Sequence, residues 1–129
     1  MSYYHSKIIN DTFKNTVEKV IASMSKEGFG VLTDIDVRAT LQKKLGVDFR
    51  QYRILGMCNP PFALQALQAE RMIGSMLPCN VIVQETEEGK TEIAAVDPAA
   101  SMQAVQNDQL LPVAQEVRRR LFIAIDQVE

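Results

Sequence analysis

The run Tyr52-Arg53-Ile54-Leu55-Gly56-Met57-Cys58-Asn59-Pro60-Pro61 passes from strand to helix at the point on which the whole fold turns. Tyr52 to Cys58 reads as a strand. Asn59 then stands where a helix needs its cap, and Pro60 takes the first helical position, where a missing N–H costs nothing. Two junctions of the same kind follow. Leu77-Pro78-Cys79-Asn80 opens an apolar strand over residues 79–86, and a further strand over 91–96 runs into Asp97-Pro98. Both cysteines of the chain lie in this stretch, each where a strand meets a proline.

How these junctions sit in space depends on strand pairing. If the 52–58 strand lies antiparallel beside the 79–86 strand, the end of one and the start of the other share an edge of the sheet. The hairpin brings Asp97 to that same edge. Cys58, Asn59, Cys79, Asn80 and Asp97 then cluster beside two helix N-termini and form the candidate ligand-binding set. If the strands are parallel, the cysteines lie about 20 Å apart, the length of a six-residue strand. In the clustered arrangement Cys58 precedes a helix N-terminus, whose dipole favours thiolate and whose free N–H groups bind anions.

Buried cysteine is also a common small hydrophobe, and Cys79 shares the strand parity of Val81 and Val83, as a core residue would. Asn59 and Asp97 are expected to act as helix caps, because a proline follows each.

Working outward, Tyr4 to Ile9 reads as a first strand, and Asn10 or Asp11 is the expected cap of the next helix. Phe13, Val17, Val20, Ile21 and Met24 fall at helical spacing, and Gly28 ends that helix. Phe29 to Thr33 alternates as a strand, with Phe29, Val31 and Thr33 on one face. A second helix is expected from Asp34 or Asp36, with Val37, Leu41 and Leu45 buried and Gly46 as its stop. Leu64 and Leu67 are the expected buried side of the helix after Pro60, with a further helical turn or two over residues 70–77.

A tight turn at Glu88-Gly89 would make residues 79–86 and 91–96 a hairpin. That register sets Val81 opposite Val96, Val83 opposite Ala94 and Asn80 opposite Asp97. Val81, Val83, Ala94 and Val96 would share one face, and Ile82, Ile93 and Ala95 the other, with Leu55 and Met57 added to it. Both faces would then be apolar, so a second subunit or an apolar ligand is expected to cover the second one. The last helix begins near Asp108. Its stripe is Ala114, Val117, Leu121, Ala124, Ile125 and Val128, while Arg118, Arg119 and Arg120 point in three successive directions.

The chain of 129 residues is 47% hydrophobic and 23% charged, which fits one globular domain over residues 1–129. It has no Trp and six Met, so the core is aliphatic. A net charge of −2 argues against a nucleic-acid or membrane-surface binder, either of which needs a basic face. No apolar run approaches the ~20 residues of a membrane span, and the first residues lack the pattern of a signal peptide. A cytoplasmic protein is expected, with its two cysteines as free thiols. Two cysteines and the remote His5 supply no zinc set, and no phosphate loop or catalytic triad is visible. No cofactor and no reaction can be named from these residues.

The run Gly28-Phe29-Gly30-Val31-Leu32-Thr33-Asp34-Ile35-Asp36, followed by Cys58-Asn59-Pro60-Pro61, Leu77-Pro78-Cys79-Asn80-Val81 and Ala95-Val96-Asp97-Pro98, resembles the bacterial domain of unknown function 302 family. The resemblance implies a compact α+β domain with a curved, mainly antiparallel sheet packed against amphipathic helices, loosely like the TATA-binding protein and often dimeric. It favours the antiparallel option and carries no established activity. The expected function is a non-enzymatic homodimer that binds a small molecule or partner around the strand ends. The alternative is a thiol-reactive or redox protein using Cys58, with or without Cys79.

Overall fold

The computed structural model describes residues 2–86 and 89–129. In chain order the elements are β1 (Tyr4–Ile9), α1 (Phe13–Lys26), β2 (Gly30–Asp36), α2 (Val37–Leu45) and β3 (Tyr52–Cys58). Then come α3 (Pro60–Ala69), a 3-10 turn (Ile73–Met76), β4 (Cys79–Glu85), β5 (Thr91–Val96), the short α4 (Pro98–Ser101) and α5 (Leu110–Gln127). The five strands form one sheet in the order β1-β5-β4-β3-β2, and every neighbouring pair is antiparallel. This is an α+β domain, with its sheet open at β1 and β2.

One face of the sheet is the core. Leu55, Met57, Val81, Val83, Ile93 and Ala95 pack there against Val17, Val20 and Met24 of α1 and against Val117, Leu121 and Ile125 of α5. The expected stripe of α5 is buried throughout. The two long helices are tied together by the Ser23 hydroxyl, which donates to the Ala124 carbonyl at 2.6 Å.

Several local expectations change. The cap of α1 is Thr12, whose side chain accepts from the Asn15 N–H, while Asp11 accepts from the Thr12 N–H and the Asn15 amide. In β2 the register shifts between Val31 and Thr33, so Leu32 is an extra residue. The bulge turns Val31 and Thr33 to opposite faces, Val31 pairing with Met57 and Thr33 with Gly56. No residue of α2 is buried, and Leu45 is 70% exposed. Its cap Asp36 and its left-handed stop Gly46 are as expected. Leu64 and Leu67 of α3 are exposed, and Ala66 is the residue that α3 buries. The helical turn expected over residues 70–77 is the 3-10 turn Ile73–Met76, with Gly74 inside it.

The hairpin register is also one residue off. Val81 pairs with Ala95 and Val83 with Ile93, and the Thr86 N–H donates to the Lys90 carbonyl at 2.8 Å. Three residues, not two, separate Thr86 and Lys90, with Gly89 in the left-handed region at φ 72°. The expected turn residue Glu88, with Glu87, lies outside the described residues. Because strand side chains alternate with period two, this slip moves Ile93 and Ala95 to the core and Ala94 and Val96 to the opposite face. Leu55 and Met57 also lie on the core face, here because the β3–β4 register pairs them with Val81 and Cys79. Ala94 and Val96 thus share the second face with Ile54 and Ile82. α3 does not cross to it: it packs on α5.

Candidate strand-end cavity

At the end of β3 and the start of β4, a cavity of about 320 Å³ opens between sheet and helices. The strand ends form its floor: Phe29 before β2, Met57 and Cys58 closing β3, Cys79 opening β4 and Pro98 after β5. Ala63, Ala66 and Phe62 of α3 form one wall, and Leu110, Ala114 and Val117 of α5 the other. Small side chains on α3 leave the room: alanines at 63 and 66 face the space that leucines would fill.

A close approach lies on the other face of β3, which Gly56 shares with Ile54. Pro78 lies against Gly56, where an added Cβ would come within 2.6 Å of the proline Cγ and would also strike the Thr33 hydroxyl. Only a residue without a Cβ lets Pro78 reach the sheet there.

The candidate residues divide. Antiparallel pairing sets Met57 opposite Cys79, so the two cysteines do meet at one end of the sheet, and both line the cavity with Asn59. Cys79 is buried, and burial, then the neighbouring Cys58, pushes its thiol up to about 11. At neutral pH it is a thiol rather than a thiolate.

Asn59 occupies the cap position of α3 but makes no capping bond. Its Nδ2 donates instead to the Glu27 carbonyl at 3.2 Å, fastening α3 to the end of α1. Asp97 does cap α4, accepting from the Ala99 and Ala100 N–H groups, and it also accepts from Arg118 Nε at 2.9 Å. Its neighbour Pro98 lines the cavity, whereas Asp97 does not. Asn80 pairs with Gly56 and lines a separate groove on the other face, beside Tyr3, Tyr4, Tyr52 and Ile82.

The three arginines do diverge. Arg118 meets Asp97 and the Phe122 ring, Arg119 meets Glu116, and Arg120 lies 5.0 Å over the Phe62 ring. The anion-binding potential of α3 is low, because Pro60 and Pro61 remove the first two N–H groups of the helix.

Residues 5–128 match the family described as domain of unknown function DUF302. The chain belongs to the DUF302 family. It is similar to an uncharacterized conserved DUF302 protein from Bacillus stearothermophilus, known from a crystal structure. The two superpose with a TM-score of 0.92 at 28% identity, over 100% of each chain. No curated protein matches.

In this DUF302 chain, Cys58, Asn59 and Cys79 of the expected set line the cavity, Asn80 and Asp97 do not, and the helical walls were not foreseen. Of the two leucines expected on the buried side of α3, Leu67 is exposed but does line the cavity, beside Phe62, Ala63 and Ala66, which no sequence signal singled out. Met102, Leu110 and Val113 reach the cavity only through tertiary packing. No helix among the described residues is long and apolar enough to cross a membrane.

Proposed function

We propose that the chain is a non-enzymatic, cytoplasmic binding module, acting as a homodimer, that takes a small, largely apolar ligand into the strand-end cavity. The observation that carries this reading is the cavity itself. Its volume of about 320 Å³ is at the lower end of the ~300–1,000 Å³ usual for small-molecule sites, and its lining is apolar with few polar groups. Nothing charged faces the space among the described residues, so burial of apolar ligand surface supplies the affinity. The dimer part of the reading is supported by the second face of the sheet, where Tyr4 and Ile8 of the edge strand β1 stand exposed on the same face as Ile54 and Ile82.

Decanol tests the ligand reading. Saturable binding raises the melting temperature by mass action, and Ala63→Leu, which adds bulk to the cavity wall, is expected to abolish the rise while circular dichroism stays unchanged. A melting temperature indifferent to decanol in the unaltered protein contradicts the reading.

A second reading, thiol chemistry at Cys58, is favoured by one observation: Cys58 lines the cavity and is only partly buried. Maleimide labelling across pH tests it. Fast labelling well below the ordinary cysteine range supports a reactive thiolate, and labelling that rises only with ordinary thiol ionisation removes this reading.

A further inference from the structure

The cavity is apolar but not uniformly so. Its most polar lining residue is Asn59, which is only 7% exposed and lies at the start of α3. A carbonyl oxygen can only accept, so the bond to Glu27 fixes which end of the Asn59 carboxamide is Nδ2. The other end, Oδ1, makes no capping bond, and among the described residues no donor meets it. Among the described residues the fully buried side-chain polar atom without a partner is Arg120 Nε, so Oδ1 keeps solvent access, and a ligand donor there takes the place of water for the net worth of one hydrogen bond. Nothing among the described residues equips the space for an anion, since Pro60 and Pro61 carry no N–H and no cationic side chain lines it.

Building on the cavity reading above, we propose that the ligand is an uncharged apolar molecule bearing a hydroxyl or N–H donor, which the Asn59 Oδ1 accepts. Cys58 and Cys79 complete the polar end of the cavity. With its thiol pushed up to about 11, Cys79 presents a neutral S–H there and no anion.

The test compares decanol with nonyl methyl ether, which has the same number of heavy atoms and an oxygen but no donor, and with decanoate, which is charged. Calorimetry on the unaltered protein is expected to give decanol about fivefold tighter than the ether, the worth of one neutral hydrogen bond, and decanoate weakest. Asn59→Ala is expected to bring decanol and ether to equal affinity, with circular dichroism reporting that the variant folds. If decanol and the ether bind the unaltered protein equally, the inference fails and the cavity reading stands. Binding of none of the three overturns both. Decanoate as the tightest ligand, or discrimination that survives in Asn59→Ala, overturns the inference alone.

Discussion

Single residues with opposite surroundings make sharp tests. Cys79 is buried with its thiol raised to about 11, whereas Cys58 is partly accessible. In the native protein at pH 7.5, Cys79→Ser is expected to take up maleimide and Cys58→Ser to resist it until unfolded, as read by intact-mass measurement. Equal labelling of the two variants would contradict the packing of β4. Raising the folded-state value of Cys79 above the ordinary 9.0 favours the native state below that pH, and the gain is lost as pH climbs through about 11. Gly56 is the other decisive position. Gly56→Ala forces a Cβ onto Pro78 and Thr33, and the expected loss is about 1–3 kcal/mol, the usual cost of overpacking. Denaturant unfolding checks it: an unchanged midpoint would mean that Pro78 does not press on the sheet. Asp11 carries the acid-side counterpart. The Lys19 ammonium, then the Thr12 N–H, lower its carboxyl from 3.8 to about 2. Its contribution is complete above the ordinary carboxylate value and is lost as pH falls through about 2, so Asp11→Asn is expected to lose part of the acid limb of the stability curve.

Among the elements, α5 was the most legible and α2 the least. The α5 stripe follows the helical period for its whole length and meets the sheet, so period and burial coincide. Leu121→Asp places an unpaired charge where nothing is exposed and is expected to cost several kcal/mol, whereas Arg119→Ala removes only an exposed pair with Glu116 and is expected to be near neutral. Equal melting of the two variants would mean that the buried face of α5 is misassigned. In α2, Val37, Leu41 and Leu45 have the same period, yet none is buried, because periodicity records an amphipathic helix and not whether a neighbour covers it. The hairpin failed for a different reason. A two-residue and a three-residue turn around Gly89 differ by one position in register, and residue types in the strands tolerate either. Only the packing of α1 and α5 against Val81, Val83 and Ile93 selects the observed one.

For the whole molecule, proline-marked junctions made three strand ends readable in the sequence, but their antiparallel pairing followed from the family resemblance, and the places of β1 and β2 in the sheet were not foreseen. The cavity walls were not readable either, since α3 and α5 meet only in three dimensions. The corrected register also changes the dimer test. Ile93 is core, so Ile93→Glu is expected to unfold the domain, while Ile54→Glu with Ile82→Glu alters only the open face. Sedimentation is expected to show the unaltered protein as a dimer and the double variant as a folded monomer; an unaltered protein that is monomeric at micromolar concentration rules out this interface. The cavity is tested most directly by methyl NMR on the methionines. Met57 and Met102 line it, Met24 is buried elsewhere in the core and Met72 is exposed to solvent. Titration with decanol is predicted to move the Met57 and Met102 methyl signals saturably and leave those of Met24 and Met72 in place. Signals that all stay fixed, or that all drift together without saturating, would contradict a ligand site at the strand ends.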